Sequence, residues 1–433
     1  MLYTQDLRIE DEILPLFDFT YNLFSGQIVR EILQEPLGST EEILLRQQVL
    51  KGFIANREIL KDYSYSRFNL AELYDFLEAF HAGSFSGNSL WRQLMFSESK
   101  RQQKRGKLVQ MTLLFHKLHT NYLSRLDTKV FPPGYATELD ELNRYFKDFK
   151  LDHFEPIIRR GKFRVRHMVE LTKSITEKAN TGETAAFWTR WFQFEAYLSL
   201  SNGIVRHGLT FPSFDETIFS VEGLFHPLLK RPVKNNMVAN RNTILLTGPN
   251  MSGKSTFLKA VSLCVYLGHI GLAVPASKLR MPFFNTISVA INLTDSIVSG
   301  YSHFMTEIIT LKKVLEAAQK GDKCFAVFDE LFRGTNIEDA LEISTATIKG
   351  LTKFKDSLFF ISTHLHQLKD LEEIKNNQVS TRYIDCELKD NTPVFTYQLK
   401  EGWSDLKVGR ILFEKEGLNE MLGIEPGVRS RES

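Results

Sequence analysis

The sequence predicts two kinds of structure in one chain, an all-α region over residues 1–212 followed by an α/β domain over residues 213–433. Long stretches with apolar residues every three or four positions predict the helices of the first part. In the second part, short β-rich runs alternate with helical patterns, which is typical of a mainly parallel sheet. We place the boundary near Pro212, where one pattern gives way to the other.

Composition indicates a globular protein without membrane segments. Apolar residues make up 43% of the 433 positions and charged residues 24%, a balance that excludes disordered chains and membrane proteins. The formal net charge of +2 is too small to identify a partner. The N-terminal residues lack the basic flank of a signal peptide, and the three cysteines have no metal-ligand spacing. We therefore expect a cytoplasmic protein with no membrane contact.

Helices are expected over residues 18–62 with a break at 35–40, and over 69–82, 90–126 and 184–208. The last stretch is rich in aromatic side chains at helical spacing, namely Phe187, Trp188, Trp191, Phe192, Phe194 and Tyr197. Such side chains can stack on the bases of single-stranded nucleic acid, but at this spacing they more often form core. We therefore expect a buried helix.

Two basic stretches lie within the helical region. The candidates for DNA contact are Lys100, Arg101, Lys104 and Arg105 in the first stretch, which also contains Lys107, and Arg159, Arg160 and Arg164 in the second, which also contains Lys162 and Arg166. Both could contact the phosphate backbone of DNA. The alternative is a solvated face, which is the usual role of a charge run on a long helix.

A glycine loop follows the first strand of the α/β domain. Strands are expected over 244–247, 287–291, 324–328, 358–363 and 394–399. The first of them leads into G-x-x-x-x-G-K-S and then into a helical pattern. Glycines at this spacing bring main-chain N–H groups onto a polyphosphate, which makes ATP the expected ligand. The alternative is a plain turn between a strand and a helix.

The roles expected within this loop follow from side-chain chemistry. Lys254 would reach the outer phosphates, and the Ser255 hydroxyl would bind Mg²⁺. The whole expected ATP-binding set is Gly248, Pro249, Asn250, Met251, Ser252, Gly253, Lys254, Ser255 and Thr256.

Two carboxylates end the apolar strand over 324–328. Asp329 is expected to hold Mg²⁺, and Glu330 is expected to orient or deprotonate the attacking water, which implies hydrolysis beyond binding. The alternative is an acidic strand end that faces solvent. His364 follows another strand and could sense or stabilise the γ-phosphate, although a histidine at such a place is more often structural when taken alone.

A further anion site is expected at Ser302, which would lie at the N-terminus of a helix. The order of phosphate loop, serine-containing helix start, Asp-Glu strand end and histidine resembles that of the ABC-type ATPases. In that class the helix-start motif completes the site of the opposite protomer. The resemblance therefore implies a homodimer in which Ser302 contacts the phosphates of its partner's nucleotide.

The motifs also resemble, more closely, those of the MutS family of DNA mismatch-repair ATPases. The residues that carry this resemblance are TGPNMSGKST at 247–256, VPA at 274–276, SGYSHFMTEI at 299–308, FDELFRGTN at 328–336 and STHLHQL at 362–368. A weaker similarity covers residues 25–50, which match the helical lever region of the family. The resemblance implies an N-terminal helical core and lever region followed by an ABC-class P-loop ATPase domain with a short C-terminal dimerisation element.

Several departures from the family pattern are expected to matter. The mismatch-reading module with its Phe-x-Glu wedge is not found, because the four Phe-x-Glu matches fall in helical core, loop or ATPase strand. The span between the lever helices is short for a DNA clamp. His303 replaces the usual threonine, and Val233 stands where an aromatic residue commonly stacks on adenine. Affinity for the base is expected to be weaker.

The resulting hypothesis is a DNA-binding ATPase. Mg²⁺-dependent ATP hydrolysis would drive the opening and closing of a dimer on duplex or branched DNA, in mismatch repair or a related transaction. The alternative is a nucleotide-gated interaction module whose helical arms grip a protein partner. A transporter-type ATPase subunit has the same motif order, but the GPNM sequence and the helical front disfavour it.

Overall fold

The computed structural model describes residues 2–81, 98–291, 303–332, 334–389, 392–406 and 408–422. The chain forms two compact units. The first, here called the helical unit, comprises Ile13–Glu35 and Glu41–Arg206. The second, here called the sheet unit, comprises the described residues of Met1–Glu12, Pro36–Thr40 and His207–Ser433. Two short N-terminal segments that the sequence analysis placed in the helical region thus group with the sheet unit.

The described part of the helical unit is built mainly from helices. They are α1 (Leu23–Gln34), α2 (Thr40–Ala55), α3 (Arg57–Leu60), α4 (Arg67–His81), α5 (Glu98–Asn121), α6 (Pro133–Asp148), α7 (Leu151–Arg159), α8 (Val165–Asn180) and α9 (Glu183–Arg206). These helices confirm the expected helical stretches, with a break between α1 and α2. Residues 90–97 of the third expected stretch lie outside the described residues.

Helix α9 forms the centre of the helical unit. All six aromatic side chains that the sequence places at helical spacing on α9 are buried, with Trp191 only 1% and Phe194 0% exposed. The indole ring of Trp191 lies within 6.3 Å of the rings of Phe187, Phe194 and Tyr63, measured between centroids. The expectation of a buried core helix is confirmed, and these rings are not a surface for stacking bases.

Helix α9 also carries a buried carboxylate that joins it to the start of the unit. Glu195 is 1% exposed and accepts hydrogen bonds from the Tyr65 hydroxyl (2.5 Å), the Tyr21 main-chain N–H (2.5 Å) and the Asn22 side-chain amide (3.0 Å). Burial raises the pKa of Glu195, although these hydrogen bonds oppose the shift. The Tyr63 hydroxyl also donates to Oε2 of Glu195, at 3.5 Å, so four donors from outside α9 converge on one carboxylate.

The sheet unit contains a seven-stranded sheet and a four-stranded sheet. Their strands are β1 (Leu2–Tyr3), β2 (Ser213–Phe214), β3 (Ser220–Leu224), β4 (Asn235–Val238), β5 (Thr243–Thr247), β6 (Lys278–Met281), β7 (Thr286–Ala290), β8 (Cys324–Phe328), β9 (Leu358–Ser362), β10 (Ser380–Lys389) and β11 (Thr392–Glu401). The larger sheet has the order β1-β7-β8-β9-β5-β10-β11, and all its pairs are parallel except β10 with β11. The smaller sheet has the order β2-β6-β3-β4.

The central strands β5, β7, β8 and β9 are buried along their whole length, as expected for a parallel sheet covered on both faces. The helices of the unit are α10 (Lys254–His269), α11 (His303–Gln319), α12 (Ile337–Leu351), α13 (Glu372–Lys375), α14 (Val408–Lys415) and α15 (Leu418–Met421). The five expected strands and the mainly parallel arrangement are confirmed. Strands β1 and β10 and the smaller sheet were not expected. Within the described residues, no helix combines the length and apolar character needed to cross a membrane.

The first prediction concerns the buried Glu195. Replacing it with alanine removes the acceptor of these four hydrogen bonds, so we expect Glu195→Ala to lower the free energy of unfolding by roughly 3 kcal/mol. Tyr65→Phe removes one of these bonds and should cost about 1 kcal/mol. Urea unfolding followed by the fluorescence of Trp188 and Trp191 measures both. If Glu195→Ala and the wild type were equally stable, the hydrogen bonds of Glu195 would not be what holds α9 to the start of the helical unit.

Candidate active site

The glycine loop lies between β5 and α10, as the sequence predicts. Gly248 has φ 134°, Met251 φ 68° and Gly253 φ 103°, so the loop repeatedly enters the left-handed region. A Cβ on Gly248 would lie only 3.0 Å from the Ile384 main-chain oxygen and 3.1 Å from the Ser252 hydroxyl. Glycine is therefore required at 248 by both conformation and space.

Lys254 opens α10 and is 5% exposed. Its ammonium group donates hydrogen bonds to the main-chain oxygens of Gly248 (2.9 Å) and Pro249 (3.2 Å), which keeps it inside the curve of the loop. Burial lowers the pKa of Lys254, while the carboxylates of Glu330 and Asp329 oppose that shift. A buried cation at the start of a helix favours an anionic ligand.

The strand order brings the two expected Mg²⁺ ligands together. Strand β9 lies between β5 and β8, and the carboxyl ends of these parallel strands meet at one edge of the sheet. There the Ser255 hydroxyl donates to Asp329 Oδ2 at 2.5 Å, although the two residues are 74 positions apart. The Ser362 hydroxyl, at the end of β9, donates to Asp329 Oδ1 and accepts from the Glu330 main-chain N–H at 2.8 Å.

Glu330 adopts the left-handed conformation, with φ 55°. Its Oε1 lies 2.7 Å from His364 Nε2, and with an ionised carboxylate this contact requires the imidazole to donate from Nε2. Such a φ is unusual for a residue with a long side chain and is found mainly where function requires it. The expected pair of Glu330 and His364 is thus in direct contact.

A cavity of about 640 Å³ adjoins the loop. Residues from Asn250 to Phe257 and Glu330 line one part of it, and the remaining wall includes Phe225, His226, Arg231, Val233, Asn235 and Tyr397. Cδ1 of Tyr397 lies 3.2 Å from the position of a Cβ on Gly253, so its ring approaches the loop. Val233 lines the cavity as an apolar residue, while Phe225 and Tyr397 supply aromatic rings that the sequence analysis did not identify.

Another residue missed by the sequence analysis is Glu307 on α11. It is 2% exposed, and its Oε2 accepts from the Phe332 main-chain N–H at 3.0 Å in the loop that follows Asp329 and Glu330. Burial raises the pKa of Glu307 to about 7. The only sequence signal was the TEI segment within a family motif, which does not specify a buried carboxylate.

Other expected site residues lie elsewhere in the chain. Ser302 lies outside the described residues. The seven basic candidates belong to the helical unit, with Lys100, Arg101, Lys104 and Arg105 on α5, Arg159 on α7, and Arg160 and Arg164 after α7. Arg159, Arg160 and Arg164 are all exposed, and Arg159 pairs with Glu155.

The donor set fits a magnesium nucleotide. Mg²⁺ is usually bound by one or two protein oxygens together with phosphates and water, and Ser255 with Asp329 offers such a pair. A cavity of this volume is within the range of small-molecule sites. The arrangement combines a loop shaped by glycines, a buried lysine, an oxygen pair and a carboxylate held by a histidine, which is chemistry suited to a polyphosphate.

Comparison with known proteins places this region among relatives. The family model for MutS domain V matches residues 244–420. The DNA mismatch repair protein MutS of Bacillus pumilus is 34% identical over 206 residues, which cover 46% of this chain and 24% of that protein. The MutS protein of Bacillus subtilis is 35% identical over 208 residues, with the same two coverages.

A more distant relative is the DNA mismatch repair protein MutS of Fusobacterium nucleatum, which is 31% identical over 203 residues, or 45% of this chain and 22% of that protein. The matched part of the chain thus spans about a quarter of the length of these relatives. It contains the glycine loop, Asp329, Glu330 and His364. These matches assign residues 244–420 of the chain to the MutS domain V family.

Proposed function

We propose that this chain is a Mg²⁺-dependent ATPase whose sheet unit is an ABC-class P-loop domain. The observation that carries the proposal is the junction of Ser255, Asp329 and Ser362, because it joins the glycine loop to the acidic end of β8 through direct hydrogen bonds. Binding alone does not require the carboxylate and histidine pair beside this junction, whereas hydrolysis does.

In the proposed complex the loop binds the phosphates and the cavity holds the nucleoside. Lys254 and the N-terminus of α10 contact the outer phosphates, while Ser255 and Asp329 hold Mg²⁺. The ion, when bound, neutralises charge that develops on the transferred phosphoryl group. The rings of Phe225 and Tyr397 offer apolar surface to the base, and Val233 contributes only aliphatic contact.

Glu330 is the proposed base. Its carboxylate accepts a proton from the attacking water and orients that water by a hydrogen bond. His364 donates to Oε1 of Glu330 and leaves Oε2 for the water. The main-chain hydrogen bond from Glu330 to Ser362 keeps the carboxylate at the strand end, next to the phosphate loop.

The wider role is proposed from the relatives. They are DNA mismatch repair proteins by name, so we infer a function on DNA in mismatch repair or a related transaction. In this proposal the chain forms a homodimer, Ser302 of one copy contacts the nucleotide of its partner, and ATP hydrolysis drives opening and closing on DNA. The basic residues of the helical unit, with exposed Arg160 and Arg164 among them, contact the DNA backbone.

A second candidate is an interaction module that grips a protein partner. Several large apolar residues of the helical unit are exposed, among them Leu23 at 91%, Phe68 at 69% and Leu45 at 54%. Exposed apolar side chains are typical of protein-binding surfaces where they form a continuous patch. In this alternative, ATP would gate the partner and DNA would play no part.

The second prediction concerns Lys254. Lys254→Ala removes a buried cation that contacts phosphate, so we expect its affinity for ATP with Mg²⁺ to fall by at least about 30-fold. Isothermal titration calorimetry measures this change. The exposed Lys353→Ala serves as the control and should bind ATP like the wild type. Wild-type affinity in Lys254→Ala would contradict phosphate binding by the loop.

The third prediction concerns Glu330. Glu330→Gln keeps the size of the side chain but removes the base, so kcat should fall about 100-fold or more while ATP affinity is retained. The exposed Glu338→Gln is the matched control. With ATP bound, Glu330→Gln should also accumulate as a dimer in light scattering after gel filtration. Unchanged turnover would rule out Glu330 as the base.

The fourth prediction separates the two candidate functions. Affinity for duplex, mismatched and branched DNA, measured with and without ATP, should fall with salt by about 0.9 logarithmic units per tenfold increase for each phosphate contact. Combined Arg159→Ala, Arg160→Ala and Arg164→Ala should make this slope shallower by about 3. Lys61→Ala, which removes an exposed lysine paired with Glu58 in the same unit, is the control. A DNA affinity that does not change with salt concentration, or no DNA binding at all, would favour the protein-binding module.

A further inference from the structure

The last two strands of the larger sheet are interrupted by a large bulge. Ile384 of β10 pairs with Leu399 of β11, and Cys386 pairs with Phe395. Asp385 therefore faces three residues of β11, from Thr396 to Gln398. The middle one, Tyr397, has φ 58°. The bulge lies beside the cavity of the candidate active site, because Tyr397 and Ile384 both line that cavity.

The conformation of Tyr397 is unfavourable by itself. A bulky residue in the left-handed region costs free energy and persists only when its surroundings hold it there. Asn235, the first residue of β4, supplies such a hold. Its side-chain N–H donates to the Tyr397 main-chain oxygen at 3.0 Å, and its Oδ1 accepts from the Leu399 main-chain N–H at 2.7 Å. One amide thus bonds two main-chain groups of β11, one at Tyr397 within the bulge and one at Leu399 directly after it.

The other side of the bulge is held by Asp385, which is 7% exposed. The Thr396 hydroxyl lies 3.1 Å from both the main-chain oxygen and Oδ2 of Asp385, and the Lys400 ammonium group lies 2.8 Å from the same Oδ2. The bulge is therefore bonded on both sides of Tyr397. Contacts on both sides of a bulge hold its backbone in one conformation.

The side chain of Tyr397, which the bulge holds in place, is not buried. Tyr397 is 47% exposed, and its ring edge approaches Gly253 of the phosphate loop. A core function does not explain why polar contacts on both sides of the bulge hold a half-exposed ring. Bulges next to active sites commonly redirect one side chain, and an aromatic ring at the edge of a nucleotide cavity offers a face for a base.

We propose that Asn235 is a positioning residue for the nucleotide base. Through the bulge it holds the Tyr397 ring as the platform on which the base stacks, and it thereby sets affinity for the base without affecting affinity for the phosphates. This inference rests on the proposed ATP-binding function of the cavity. It also explains how a chain with Val233 in the cavity wall obtains an aromatic contact for the base.

The test compares ATP with inorganic tripolyphosphate, which lacks the base, both with Mg²⁺ in calorimetry. Asn235→Ala should weaken ATP binding by about tenfold and leave tripolyphosphate binding unchanged. Tyr397→Ala should give the same pattern. Because Asn235 acts through Tyr397, adding Asn235→Ala to Tyr397→Ala should cause no further loss of ATP affinity.

Two further variants control for loss of a hydrogen bond and for folding. Asn236→Ala removes a neighbouring amide, whose oxygen accepts from the Gly223 main-chain N–H at 2.6 Å outside the bulge, and should bind ATP like the wild type. If Asn235→Ala does not fold, Thr396→Val loosens the other side of the bulge. It should weaken ATP binding in the wild-type background and have no effect in the Tyr397→Ala background.

Several outcomes would overturn the inference. Equal weakening of ATP and tripolyphosphate by Asn235→Ala would indicate a general structural role. If Asn235→Ala weakened ATP binding in the Tyr397→Ala background as much as it does in the wild type, Asn235 would not act through the ring. In both cases the wild type still binds ATP, and the proposed function is unaffected. A wild type that binds neither compound would instead overturn the proposed function and, with it, this inference.

Discussion

The candidate active site depends on the contact between Asp329 and two serine hydroxyls. Ser255 lies in the first turn of the helix after β5, Asp329 follows β8 and Ser362 ends β9, so the contact links three strand ends. The contact requires β9 to lie between β5 and β8. The parallel register then aligns Leu246 with Ser362 and Phe328 with Ile361, which brings the three strand ends to the same level. A carboxylate at a strand end would otherwise need water or a counter-ion to satisfy its oxygens. Here the neighbouring strand supplies the hydroxyl.

Much of this site could be predicted from local sequence, because each part has its own signal. The glycine loop is recognised by spacing, and Asp329 and Glu330 are recognised by their place after an apolar strand. Ser362 could not be identified in the same way, since a serine within a buried strand has no distinctive pattern. Its role arises only when β9 pairs with both β5 and β8. Tyr397 was missed for a similar reason, because its direction depends on a bulge between two paired strands.

The helical unit illustrates the same division between local and non-local information. Apolar periodicity correctly predicted that the aromatic residues of α9 form core. It could not predict that Glu195, a charged residue on the same helix, would be 1% exposed. The donors that permit this burial come from Tyr21, Asn22 and Tyr65, more than a hundred residues earlier in the chain. Similarly, Leu2 and Tyr3 gave no strand signal, since a two-residue strand exists only through its pairing with β7.

The loop after Glu330 is tied physically to the beginning of α11. Phe332 is 1% exposed, its main-chain N–H is held by Glu307, and its ring lies 6.0 Å from that of Phe304, measured between centroids. A Cβ on Gly334 would lie 3.0 Å from the Cβ of Phe304, so the loop and the helix are in close contact on both sides of residue 333. Close packing makes such contacts resist gradual deformation. A movement of the loop that carries Glu330 must therefore be accompanied by movement of the first turn of α11.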